Sequence, residues 1–183
     1  QAGYEHTPIR ITPEPDAFDQ LPIHREFTYG ELANFFVIEV RQNADAPACR
    51  ENGSLVADEG PSCDALESED RSNLGAEQEE WLIDAMTSST TTWNILANPI
   101  MLAGLNVGTP EEPQIVRDAW DGYPATRQRL LDAITSSDVP NPVVVTGDWH
   151  ASFVLDVASN PDGPTVMPEF LASSISTVLF DTD

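Results

Sequence analysis

The chain has 183 residues, 40% of them apolar, and sets 31 acidic residues against eight arginines and no lysine, for a formal net charge of −23. That length supports one compact core, and the apolar fraction excludes compositional disorder. The charge excludes nucleic-acid binding through clustered cations and docking to an anionic membrane surface; the absence of any run of 18 apolar residues excludes a transmembrane helix.

Residues 1–22 are rich in proline and turn residues and read as an extended lead-in with no targeting leader. Residues 25–29 and 33–41 read as a strand pair joined at Gly30-Glu31. The continuous apolar run Phe35-Phe36-Val37-Ile38 points to a buried central strand. Residues 43–74 form a long acidic loop holding both cysteines, Cys49 and Cys63. A disulfide closing about fifteen residues would stabilise that loop by roughly 3 kcal/mol. The alternative is a pair of free thiols. An exposed polar loop cannot bury thiols, so the expectation is a disulfide and an oxidising compartment.

A helix follows from Ala76. Glu77, Glu79 and Glu80 lie near its start, where the helix dipole favours acids, and Trp81, Leu82, Ala85 and Met86 share one face. Residues 92–96 read as a strand, 99–105 as an irregular apolar segment and 106–118 as a second loop. Residues 123–136 read as another helix, with Pro124 in its first turn and Leu130, Leu131 and Ile134 inward. Residues 143–146, 153–157 and 166–171 read as strands. The alternation predicts an α/β layered fold that becomes antiparallel toward its end, as a single unit over residues 1–183.

The segment Val143-Val144-Val145-Thr146-Gly147-Asp148-Trp149-His150 carries the chemistry. A β-branched strand runs into glycine and presents a carboxylate and an imidazole at its carboxyl end, where open α/β sheets bind ligands. In extended backbone Asp148 and His150 would point the same way, with Trp149 opposite, making one corner of a metal site. Such a tetrapeptide is a weak signal by itself, because Asp-His pairs often only hydrogen-bond within a turn. A chain this acidic that acts on an anionic ester needs bound cations or well-placed arginine.

Five elements together resemble one family. Thr146-Gly147-Asp148-Trp149-His150-Ala151-Ser152 is similar to the Gly-Asp-x-His segment of PhoD-like phosphatases, within the metallophosphatase superfamily. Tyr4-Glu5-His6-Thr7-Pro8-Ile9-Arg10 resembles their lead-in. Phe27 to Leu32 followed by Val37 to Gln42 resembles their strand pair, with Glu39 where the family usually has Asp. Leu74-Gly75-Ala76-Glu77-Gln78-Glu79-Glu80-Trp81-Leu82 and Trp120-Asp121-Gly122-Tyr123-Pro124-Ala125-Thr126-Arg127 resemble their two helix entries.

The resemblance implies a layered metallophosphatase-type β-sandwich flanked by helices, and hydrolysis of phosphomonoesters or phosphodiesters with calcium and iron. It also implies export, to a secreted, periplasmic or cell-surface location. Asp148 and His150 are the metal-ligand candidates, and Asn98 a candidate substrate-binding residue. The family's earlier metal motifs lie upstream of its lead-in, and this chain starts there. The expectation is therefore a C-terminal part that needs the remainder of the same enzyme and is inactive alone. The alternative is a non-catalytic structural or assembly subunit. His6 and His24 read as structural or surface residues, Trp81 and Trp93 as core, and Arg41 as an ion-pair partner. Asp121 and Tyr123 read as fixing a helix entry. Ser173, Ser174 and Ser176 have no neighbouring base in sequence, which disfavours a serine nucleophile.

Overall fold

A computed structural model describes residues 23–49 and 63–174. The lead-in motif at residues 4–10, His6 and Ser176 lie outside the described residues. Six strands form one sheet: β1 (Arg25–Tyr29), β2 (Ala33–Val37), β3 (Trp93–Asn98), β4 (Pro142–Thr146), β5 (Phe153–Ala158) and β6 (Thr165–Leu171). Two helices, α1 (Ala76–Thr87) and α2 (Pro124–Ser136), join β2 to β3 and β3 to β4. The strand order is β1-β2-β3-β4-β6-β5. Strands β2, β3, β4 and β6 are mutually parallel, and β1 and β5 run antiparallel on the two edges. The mixed α/β reading and the antiparallel turn toward the end match this arrangement.

The two crossovers step in the same direction along the sheet, and parallel crossovers share one hand. Both helices therefore lie on the same face. Leu82 and Met86 of α1 and Leu130, Leu131 and Ile134 of α2 pack there with Phe36, Leu96, Val144, Met167 and Leu171 from the strands. The opposite face is also apolar, but no described helix covers it. Cross-strand partners share a face, and the row Val37, Ala97, Val145, Phe170, Val154 runs across five strands. A second row joins Phe27, Phe35, Ile95 and Val143. On this face Phe27 is 53% exposed, Tyr29 71% and Val154 73%. Trp93, expected in the core, lies here as well and is 45% exposed, because its place in the register turns it away from the helices. The described residues thus supply one sheet and one helical layer of the expected sandwich.

Strand β2 ends at Val37, four residues short of the expected end. The Glu39 carboxylate closes a turn there by accepting the backbone N–H groups of Arg41 and Gln42 at 2.9 and 2.6 Å. Gln78 of α1 secures the same point. Its amide donates to the Glu39 and Leu74 carbonyls, and its carbonyl oxygen accepts the Glu39 N–H. The glutamine of the first helix-entry motif is therefore a clasp between α1 and the end of β2.

Ahead of α1, the Ser72 hydroxyl accepts the N–H groups of Leu74 and Gly75 and donates to Glu79. Glu79 in turn forms an ion pair with Arg129 of α2, and this partner raises the arginine's pKa through its hydrogen bond. Gly75 has φ 74°, and a Cβ there would lie 2.8 Å from Asn43 Cβ. His24 packs on the Trp81 ring at 4.7 Å between centroids, in keeping with a structural role. Cys49 and Cys63 form a disulfide, with Cα atoms 6.4 Å apart.

The second helix entry anchors three separate segments. A 3-10 turn at Trp120–Gly122 precedes α2. Fully buried Trp120 donates from Nε1 to Asn98, Asp121 accepts the Leu105 N–H at 3.0 Å, and the Tyr123 hydroxyl donates to the Asp45 carbonyl at 2.6 Å. Asp121 and Tyr123 thus fix the entry to α2. Burial raises the Asp121 carboxyl above its usual range, with Glu169 adding to the rise and the Leu105 N–H and Arg127 opposing it.

Two outcomes follow for the protein that carries this chain. Gly75→Ala forces an L residue into a left-handed backbone against Asn43 and is expected to cost about 1–2 kcal/mol or more in chemical denaturation. An unchanged unfolding midpoint would show that the loop relaxes freely. For Asp121, the folded state holds the proton more tightly than the unfolded state. Its contribution to stability therefore falls as pH rises from the ordinary aspartate value through the raised one. Asp121→Asn keeps an acceptor for Leu105 but cannot ionise. Its stability relative to the unsubstituted protein should improve as pH rises from the ordinary aspartate value through the raised one, as read by urea denaturation. A difference independent of pH would assign the pH dependence elsewhere.

Candidate functional site

Because β2, β3, β4 and β6 are parallel, their carboxyl ends lie along one edge of the sheet. The segments leaving this edge are residues 38–43, 99–105, 147–152 and 172–174. The sequence motif sits in the third of them. Thr146 closes β4, pairs with Asn98 on one side and Leu171 on the other, and its carbonyl accepts the Ala172 N–H. The chain then leaves the sheet.

Asp148 and His150 do not sit in extended backbone. Their φ angles are 71° and 54°, both in the left-handed region. Asp and His tolerate that region better than most side chains, yet it remains uncommon for any residue but glycine. Two such residues in one tetrapeptide store backbone strain of the kind concentrated at functional sites. The alternation is kept by this turn instead of by strand geometry: Asp148 and His150 are exposed, and Trp149 between them is half-buried against the core. At Gly147 a Cβ would meet, among the described residues, the Ala172 carbonyl at 3.8 Å, an ordinary contact.

Asn98, at the end of β3, is 4% exposed. Its Nδ2 donates to the Ile100 carbonyl and its Oδ1 accepts from Trp120 Nε1. This places it under the site edge, bonded to the segment that follows it. Arg41 forms an ion pair with Asp118. Among the other described arginines, Arg71 lies over the Tyr123 ring and donates to the Ala46 carbonyl, and Arg117 donates to the carbonyls of Ala48 and Cys49. Arg127 donates to the Leu102 and Ala158 carbonyls, and its burial lowers its pKa while Asp121 and Glu169 raise it. Every described arginine has a partner within the fold, with Arg25 over Phe27.

Glu169 escaped the sequence reading. It is fully buried in β6, on the helix-covered face. It accepts the Thr146 hydroxyl at 2.6 Å, the Leu102 N–H at 2.9 Å and the Ala103 N–H at 2.7 Å. The signal was present, since Met167, Glu169 and Leu171 alternate on one face, and an acid at a core position demands a polar partner.

A carboxylate and an imidazole at a strand end suit a divalent or trivalent cation, so Asp148 and His150 fit part of a metal centre. No group of three or more His, Cys, Asp or Glu side chains able to hold a metal occurs among the described residues. The remaining ligands of a hydrolytic centre would have to come from elsewhere. Nor is any described helix long and apolar enough to cross a membrane.

Comparison with known proteins is consistent with this architecture. The sequence model of the PhoD family, described as PhoD-like phosphatase, matches residues 1–183. Alkaline phosphatase D of Bacillus subtilis (strain 168) is 43% identical over 153 residues, which are 84% of this chain and 25% of that protein. A solved structure described as the structure of PhoD superposes with a TM-score of 0.85 at 38% identity, covering 96% of this chain and 33% of the other. The chain therefore spans a third or less of the relatives it matches. The family match runs the whole length of the chain, and the six-stranded sheet with its helices follows a solved member: the chain belongs to the PhoD-like phosphatases.

Proposed function

We propose that this chain supplies part of the metal site of an enzyme that hydrolyses phosphomonoesters or phosphodiesters. Asp148 and His150 are the ligands it contributes. The observation that carries the reading is their position: two left-handed, exposed, ligand-type residues at the carboxyl edge of parallel strands, in a chain of this family. The Asp148 carboxylate offers hard oxygen donors and the His150 imidazole a nitrogen donor, a set that suits calcium and iron together. Bound there, such cations polarise phosphoryl oxygens and lower the pKa of a water nucleophile.

Charge supports the same reading. At −23 the chain repels an anionic ester, and its described arginines are occupied within the fold. Cations held by residues such as Asp148 and His150 would supply the attraction for the phosphate. Asn98, bonded to the segment after β3, supports the substrate side of the edge.

The sheet face without a described helix supports a partner there. Parallel strands are normally buried on both faces, and Phe27, Phe35, Val145, Val154 and Phe170 are exposed on this one. The chain spans 25% of its B. subtilis relative. The remainder of the same enzyme, carrying the other metal ligands, packs on Phe35, Val145, Phe170 and their neighbours and completes the sandwich. The disulfide suits a secreted, periplasmic or cell-surface location.

In the complete enzyme, Asp148→Ala and His150→Ala should each lower kcat/KM for a phosphate ester by on the order of 100-fold or more, as chelation should. Unchanged rates would remove these residues from the site, and purified enzyme without iron or calcium would favour a non-catalytic role. A cysteine introduced at Val145 in the complete enzyme should resist a thiol reagent until the protein is denatured. Rapid labelling of the native enzyme would show that the face is open and the proposed partner wrong.

A further inference from the structure

The fold contains a fully buried carboxylate in neither of its ion pairs among the described residues, Arg41–Asp118 and Arg129–Glu79. A buried carboxyl group is tolerated in a core only where hydrogen bonds replace its lost hydration. Glu169 has three such donors: the Thr146 hydroxyl and the backbone N–H groups of Leu102 and Ala103. Asp121 and Arg127 are near enough to act on one another and to feel its charge. An apolar residue would serve the sheet as well, as Met167 does two positions earlier on the same face. A carboxylate there ties together groups that methionine cannot.

Its donors come from two segments of the site edge. Thr146 is the last residue of β4, and Asp148 follows two residues later. Leu102 and Ala103 lie in the segment that leaves β3 after Asn98, and Arg127 holds Leu102 again through its carbonyl. One carboxylate therefore braces both segments against β6.

We infer that Glu169 is a positioning residue, acting through Thr146 to hold the exit of β4 so that Asp148 and His150 keep their left-handed backbone. This rests on the reading of those two residues as metal ligands. A plain structural staple would stabilise the fold equally well but would leave metal retention and turnover untouched.

The test uses the complete, metal-loaded enzyme and the variants Thr146→Val and Thr146→Ser. Valine keeps the β-branch and the volume and removes only the hydroxyl, while Glu169 retains its two backbone donors. Turnover of p-nitrophenyl phosphate and metal retention under stepped chelation are read together. Thr146→Val should lower kcat about tenfold with KM nearly unchanged and release metal at lower chelator, and Thr146→Ser should restore both. Wild-type turnover and retention in Thr146→Val, or equal losses in the two variants, would overturn the inference.

Asp148→Ala is run alongside. If that variant is fully active, the ligand reading is what fails, and amide hydrogen exchange over residues 147–150 then decides the bracing. Faster exchange in Thr146→Val than in Thr146→Ser supports it, and equal exchange overturns it.

Discussion

Every parallel neighbour in a sheet must be reached by a crossover, and this constraint organises the rest of the molecule. Strands β2, β3 and β4 advance in one direction, so both connecting helices fall on the same side. That single outcome creates the helix-covered core, leaves the opposite face without a described helix, and aligns the strand ends so that four segments leave from one edge. The excursion through β5 inserts β6 beside β4 with the same polarity, which brings Glu169 and Thr146 together. The site edge and the face without a described helix are two consequences of one topology.

With 31 acids and eight arginines, ion pairs are a scarce means of fastening loops. The fold uses side-chain bonds to backbone groups instead. Gln78 clasps both sides of the peptide unit at Glu39, Ser72 caps the approach to α1, Arg127 holds two carbonyls, and Glu169 holds two amides. Most of these residues belong to the helix-entry motifs or stand beside them. The motifs therefore encode the frame around the site more than its chemistry, and Asp121 and Tyr123 behave as helix anchors accordingly.

Much of this could be read from residue order. The spacing of Leu82 and Met86, and of Leu130, Leu131 and Ile134, revealed the inner faces of both helices, because helical periodicity is a local property. Strand identities were equally plain. The length of β2 was not, because its end depends on Glu39 folding back on the next amides and on Gln78 arriving from thirty-nine residues away. Trp93 read as core because an apolar residue in a strand is normally covered. Which face it joins is set by register with β2, and whether that face is covered depends on protein beyond the described residues.

Sequence by itself determined the element types, the cysteine pair and the family motifs, since each is carried by residues close together in the chain. Tertiary structure alone decided that Asp148 and His150 meet the edge through a left-handed turn. It also brought the Glu169 carboxylate to Thr146, at the end of β4, from twenty-three residues away. Both depend on strand order, which is a property of pairing between distant segments and not of any one of them. For the same reason the lack of a described helix over one sheet face could not be read from the run Phe35 to Ile38, which reads as a buried central strand.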